Sequence, residues 1–340
     1  VNQPSIDLAR LQTWMDDCGL GEAGAPVRVR DISGGAQNWI FDIRRGDDFR
    51  AALRIPPPGA PATRDNGIAR EWRIIEALDG TDVPHTAAVA MCADTTVLGR
   101  SFYLMGLVDG WSPQAGGRWP EPFESDLGAW AGLAVAMIDG IAELSRVDWQ
   151  ARGLADLGRP DGFQERQVQR WTAFFDEIKG RDIPGLADVT HWLAEHRPVD
   201  YQPGLMHGDY QFANVMFRHG GPATLAAIVD WEMGTIGDPK LDLAWMLHDW
   251  PESPDAKSSY VDITGMPSRS ALLERYAQVS SRQVDDIDYY VILAKWKMAI
   301  VLEQSFQRAG DNAMLRALGT MVVEQMALAA ELVETTDYSG

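Results

Sequence analysis

The chain contains no lysine before Lys179, only two cysteines, and far more acid than base. Thirty Lys and Arg stand against 49 Asp and Glu, a formal charge of −19 that is dispersed rather than gathered in a tail. Nucleic acid and anionic membrane surfaces recruit proteins through basic patches, so neither is expected as a partner. Cys18 and Cys92 are too few for a disulfide framework or a thiolate metal cluster, and as two structural thiols they fit a reducing, cytoplasmic setting. The longest strongly apolar stretch, around residues 129–138, is about half of what a bilayer span requires. No basic segment leads into an apolar one at the start, so no secretory signal is expected. A G-x-x-x-x-G-K-[ST] phosphate loop is absent, which excludes that chemistry. The formal G-x-G-x-x-G at 19–24 follows a helix and runs into Pro26 and a strand, the reverse of a dinucleotide-binding context, and reads as a loop. His191, Glu195 and His196 do not form H-E-x-x-H and are read as surface residues.

What is present suits two lobes sharing a cleft, for which 340 residues suffice. Residues 5–18 predict a helix with Ser5 as N-cap. Three short strands follow at 27–32, 37–44 and 49–55. Between the first two lies Ser33-Gly34-Gly35-Ala36, either a plain hairpin turn or a loop whose glycines let backbone amides approach a phosphate. The third strand delivers Arg54 and stops at three prolines. Residues 64–79 predict a helix with Ile68, Trp72, Ile75 and Leu78 along one face, and Glu71 beside that stripe points toward the sheet. Strands at 88–92 and 97–105 lead into a glycine-containing link at 106–111. Helices are expected at 123–147, 163–179, 186–196, 285–308 and 311–334, the last few residues being mobile.

The segment 205–242 organises the rest. Its apolar residues flank Asp209, Asn214 and Asp230 in a pattern that predicts a β-hairpin over 205–232 with these three polar groups at one mouth. Each alone reads as a turn residue of an ordinary hairpin. Together they supply a carboxylate for a hydroxyl, and an amide and a second carboxylate for magnesium, which is what phosphoryl transfer requires. Asp238-Pro239 reads as the N-cap and first-turn proline of a further helix, and Asp242 inside that helix lies between two leucines and needs partners.

His207-x-Asp209-x4-Asn214, then Asp230, then Gly237-Asp238-Pro239 and Asp242, resembles the catalytic segment of the aminoglycoside phosphotransferase-like kinases. Within them it is most similar to the phosphotransferase domains joined to acyl-CoA dehydrogenases. The resemblance covers roughly residues 27–250 and rests on the ordered set. It implies an α+β, protein-kinase-like fold, with a nucleotide-binding lobe at 1–105, a hinge at 106–111, a helical lobe at 112–334 and a flexible tail at 335–340. By the same likeness Asp209 accepts or orients the proton of the attacking hydroxyl, and Asn214 and Asp230 hold Mg2+. Ser33, Gly34 and Gly35 cover the phosphates, and Arg54, paired with Glu71, grips them where the family carries lysine. The Gly106 carbonyl and the Val108 amide hold adenine, His207 supports the loop, and Asp242 binds its backbone amides. Trp231 and Glu232 replace the Phe-Gly of protein kinases, Gln211 replaces a lysine, and no A-P-E follows. A small-molecule kinase is implied, using ATP, with GTP as second choice. The acceptor is a hydroxyl on an amino sugar, another metabolic alcohol or a hydroxyacyl thioester. A nucleotide-binding pseudo-kinase is the alternative. Arg166, Arg170, Lys295 and Lys297, scattered in sequence, are candidates for the phosphates of an acyl-CoA. The oligomeric state stays open.

Overall fold

The computed structural model describes residues 6–34, 38–113, 118–250 and 265–340. The chain opens with helix α1 (Leu8–Asp17), then strands β1 (Val27–Gly34), β2 (Trp39–Arg45) and β3 (Phe49–Ile55). Helix α2 (Thr63–Leu78), strand β4 (Ala88–Cys92), the single-turn α3 (Thr95–Leu98) and strand β5 (Phe102–Met105) complete this half. The strands form one five-stranded sheet in the order β1-β2-β3-β5-β4, every pairing antiparallel.

Strand alternation divides the sheet into two faces. Val27, Phe41, Ile43, Ala51, Leu53 and Ile55 form a core with Leu11 and Met15 of α1. Asp42, Ala52 and Arg54 therefore point the other way. On that side α2 packs against β4 and β5, and its Ile68, Ile74, Ile75 and Leu78 join the larger core together with Tyr103. Glu71 is carried to the same buried surface, 1% exposed.

The second half is mostly helical: α4 (Leu127–Arg146), α5 (Phe163–Ile178), α6 (Leu186–Glu195), α7 (Lys240–Leu247), α8 (Arg269–Ser280), α9 (Ile287–Gln307) and α10 (Ala313–Thr335). Strands β6 (Gly204–Met206), β7 (Val215–Phe217), β8 (Leu225–Ile228) and β9 (Thr235–Gly237) lie between α6 and α7. By length and composition alone α4 and α10 would pass as membrane spans, at mean hydropathies of 1.5 and 1.2. In the fold α4 packs on α8, β6 and β8, while α10 lies along α9.

Several local expectations need correction. The cap of α1 is Asp7, which accepts from the Arg10 amide at 3.1 Å; Ser5 lies outside the described residues. Val97 and Leu98 belong to α3 rather than to a strand, because Asp94 caps a helical turn by accepting from the Thr96 amide. Phe123 is buried ahead of α4, whose start is set by the Asp126 cap. His196 is half-buried, stacked on Trp192 with centroids 4.6 Å apart. Helix α8 lies in a stretch for which the sequence suggested no element. Tyr338 near the C-terminus packs against Trp192 and Tyr289.

The largest correction concerns 205–232, which is two ribbons and not one hairpin. β7 pairs with β8 across the turn, whereas β6 pairs with β9. Gly204–Met206 is buried throughout, so its backbone groups must find a strand partner. Residues 207–214 are consumed by a loop and a 3-10 turn, Phe212–Asn214, leaving Thr235–Gly237 as that partner.

The packing of α9 is pinned by Arg181. Its guanidinium pairs with Glu303 of α9 at 2.9 Å, donates to the Gly319 carbonyl of α10 and covers the Phe306 ring. The Glu303 side chain is fully buried, so removing Arg181 leaves its charge with only the neutral amide of Gln307, at 2.6 Å, as a partner. Arg181→Ala should destabilise the protein by about 2–4 kcal/mol in urea unfolding, and an unchanged midpoint would show that Glu303 is compensated elsewhere.

Candidate active site

The loop that follows β6 is built around a buried carboxylate. Asp242, on the first turns of α7, accepts from the His207 amide at 2.5 Å and the Gly208 amide at 2.8 Å. Burial raises its pKa, while the backbone amides of Gly208 and His207 and the charge of Lys297 act against that rise. Gly208 adopts φ +85°, and a Cβ there would sit 2.6 Å from the Met233 carbonyl oxygen, so only glycine fits. His207 is fully buried. Its Nε2 lies 2.8 Å from the Val229 carbonyl, and the Asp209 amide reaches Nδ1 at 3.3 Å. One neutral tautomer, with the proton on Nε2, serves both contacts. Tyr210 ties the loop to α4 through the Met137 carbonyl at 2.7 Å.

Asp209 is thereby held as an oriented carboxylate. Its Oδ2 accepts from Asn214 Nδ2 at 2.8 Å, and its Oδ1 from Gln211 Nε2 at 2.8 Å and Trp245 Nε1 at 2.9 Å. Asn214 Nδ2 also bonds to the Asp209 carbonyl, which leaves the Asn214 amide oxygen for another partner. The Asn214 carbonyl accepts from the Val229 amide at 2.9 Å, and this bond places Asp230 at the same end of the β7–β8 ribbon. Asp230 sits in the left-handed region at φ 67°, with its side chain 39% exposed.

Arg54 crosses from the sheet to this point. Its Nε pairs with Glu71 at 2.8 Å and its Nη2 with Asp230 at 2.6 Å. Tyr103 adds a hydroxyl to Glu71 at 2.9 Å. Burial pushes the Glu71 carboxyl up to about 7, against the pull of Arg54 and Tyr103. For Arg54, burial acts to lower the pKa, but the charges of Glu71, Tyr103 and Asp230 outweigh it and the guanidinium stays charged. The expected Arg54–Glu71 pair is therefore extended by a third member, Asp230.

Elsewhere, Ser33 and Gly34 end β1, where Gly34 pairs with Trp39; Gly35 lies outside the described residues. The Gly106 amide donates to the Ala87 carbonyl at 2.8 Å, Val108 is half-buried in the link, and Trp111 pairs with Phe217. Among the described residues no group of three or more His, Cys, Asp or Glu forms a metal cage. Magnesium does not need one where nucleotide phosphates and water complete its shell, and Asn214 and Asp230 offer the hard oxygens it takes.

A cavity of about 810 Å3 opens beside the loop, walled by Met206, Gly208, Trp245, Trp171, Arg70 and Lys297. It brings Arg166, Arg170 and Lys297 together, while Lys295 is not among its walls. Trp245, Tyr103 and the Lys297 environment were not legible as parts of a site. Trp245 could have been found: it lies three residues after Asp242, on the helix face that addresses the loop.

The model of the phosphotransferase enzyme family matches residues 28–277. Human acyl-CoA dehydrogenase family member 11 is 28% identical over 329 residues, covering 92% of this chain and 41% of that protein. The chain thus spans about two fifths of that relative. A solved structure from Ralstonia eutropha JMP134, provisionally described as an aminoglycoside phosphotransferase, superposes with a TM-score of 0.81 at 26% identity, covering 97% of this chain and 99% of that one. Amicoumacin kinase hAmiN, solved with AMP-PNP, Ca2+ and Ami, gives a TM-score of 0.60 at 14% identity, covering 97% of each chain, a likeness of fold. With the sheet, the link, the helical half and the loop in this arrangement, the chain has the protein-kinase-like fold and belongs to the phosphotransferase enzyme family.

Proposed function

We propose that the protein transfers the γ-phosphate of ATP, with Mg2+, to a hydroxyl of a small molecule. The observation that carries this reading is the convergence of Asp209, Asn214 and Asp230 on the end of the cleft reached by Arg54 and Glu71. Asp209, fixed through both carboxylate oxygens, orients the acceptor hydroxyl and takes its proton. Asn214 and Asp230 would hold magnesium, whose charge offsets that developing on the phosphates. Arg54 would turn from Asp230 toward the α- and β-phosphates while Glu71 keeps its Nε in place. The cavity beside the loop is the proposed entrance for the acceptor, which is an amino sugar, another metabolic alcohol or a hydroxyacyl thioester.

One observation favours a second reading, a nucleotide-binding pseudo-kinase. Arg54 lies on the carboxylate assigned to the metal. Calorimetric titration of ATP with and without magnesium, followed by an acceptor screen, separates the two. Magnesium-dependent binding at one site followed by ATP consumption with an acceptor supports the kinase. Tight magnesium-dependent binding with no consumption supports the pseudo-kinase. GTP should be titrated in parallel.

The assigned roles lead to three outcomes. Asp209→Asn should lower kcat by about 10²–10⁴ while leaving ATP affinity unchanged, and lost ATP binding would make Asp209 structural. Asp230→Ala should weaken ATP binding only when magnesium is present, so an equal effect in EDTA would remove it from the metal site. Arg54→Ala should raise the KM for ATP roughly 10- to 100-fold, from the loss of charge-assisted hydrogen bonds. An unaltered KM would take Arg54 out of phosphate binding.

A further inference from the structure

The cavity beside the loop holds an ammonium group that the proposed mechanism does not use. Lys297, on α9, is 8% exposed and lines the cavity. Its Nζ lies 5.0 Å from the centre of the Trp171 ring and 5.5 Å from that of Trp245. Among the described residues it makes no hydrogen bond, and no carboxylate comes within ion-pair distance. Two indole faces reduce the cost of burying the charge, but they offer its three N–H donors no acceptor.

The other charges around the cavity are mostly engaged. Asp242 is bound to the loop amides and Asp156 to Arg73. Glu232 lies 3.5 Å from Arg64. The Arg70 guanidinium is held by the carbonyls of Gly234 and Leu157, and that of Arg166 by the carbonyls of Asp161 and Arg159. Arg170 faces the same space as Lys297 and, among the described residues, makes no ion pair. Burial lowers the Lys297 pKa to about 8, with Arg170 pushing the same way and Asp242 and Asp209 opposing. A largely charged ammonium near neutrality thus faces a roomy cavity with no anion of its own. The cavity also adjoins the reacting carboxylate, because Trp245 lies near Lys297 with one ring face and donates its N–H to Asp209.

We propose that Lys297, set between Trp171 and Trp245 with Arg170 at the rim, is a specificity-determining residue that binds an oxyanion of the acceptor, so that the acceptor is an alcohol carrying a carboxylate or phosphate and not a polycationic amino sugar. This rests on the reading that Asp209 addresses the acceptor hydroxyl. A polycation in the cavity would meet Lys297 and Arg170 with like charge, whereas an oxyanion would complete the ammonium's hydrogen bonds.

The test is MgATP consumption by wild type, Lys297→Gln and Lys297→Arg with 4-hydroxybutyrate, glycerol 3-phosphate, glycerol, choline and kanamycin. The anionic alcohols should be preferred by at least tenfold in kcat/KM, and comparison of the two distinguishes carboxylate from phosphate. Lys297→Gln should raise the KM of the preferred acceptor about 10- to 100-fold, the cost of one charge-assisted bond, with the KM for ATP unchanged and partial rescue by arginine. Preference for kanamycin or choline, or an acceptor KM indifferent to Lys297→Gln, overturns the proposal. If the panel is silent, inorganic phosphate is titrated calorimetrically into the nucleotide-free protein. Binding at one site that disappears in Lys297→Gln at unchanged melting temperature supports the subsite. No binding, or binding indifferent to the substitution, overturns it. Failure of MgATP to bind would sink the phosphotransferase reading separately, because the phosphate titration does not depend on nucleotide.

Discussion

Asp242 is the point on which the site turns. A carboxylate buried between leucines is costly unless its oxygens are bonded, and the backbone amides of His207 and Gly208 bond both of them. That exchange fixes the start of the loop to α7. It also sets the direction in which Asp209 leaves, since Gly208 must take a positive φ against Met233. His207 then closes the arrangement by linking Val229, the residue before Asp230, to the amide of Asp209. The two acidic residues of the site are thus joined through one buried imidazole, without either carboxylate being spent on the connection.

The sheet contributes through a different economy. Arg54 is nearly buried, and the carboxylates of Glu71 and Asp230 compensate it from opposite sides of the cleft. Such a bridge ties the two halves together while one of its ends, Asp230, stays partly exposed to solvent. Arginine suits this place because its planar fork engages two carboxylates at once, which an ammonium does less well. The absence of lysine in the first half of the chain is consistent with that arrangement rather than a gap in it.

Trp245 links the Asp209 carboxylate to the cavity beside the loop. One residue donates to Asp209 and presents its ring to Lys297, so the position of the carboxylate and the electrostatic character of the cavity are set by the same side chain. The overall charge of −19 gave no hint of this. Net charge describes the surface field, whereas recognition depends on which few charges line a recess and which of them are already paired.

Local sequence determined the elements wherever a repeating pattern met a clear stop. Strands β1 to β3, helices α2, α5 and α6, and the order of Asp209, Asn214 and Asp230 follow from apolar periodicity, prolines and intervals along one segment. Glu71 could be placed on the inward side of its helix because a 3.6-residue repeat specifies a face. What tertiary structure alone decided is partner choice at a distance. β6 pairs with β9 instead of its neighbour because a buried backbone must be satisfied by whichever edge reaches it. Arg54 bonds Asp230, 176 residues away, because folding brings the two across the cleft. Lys297, read in sequence only as one of several scattered bases, reaches the cavity wall near Trp245, with no ion-pair partner among the described residues, because α9 is packed against α7. Periodicity carries no information about such contacts, since they depend on which faces meet and not on which residues lie near one another in the chain.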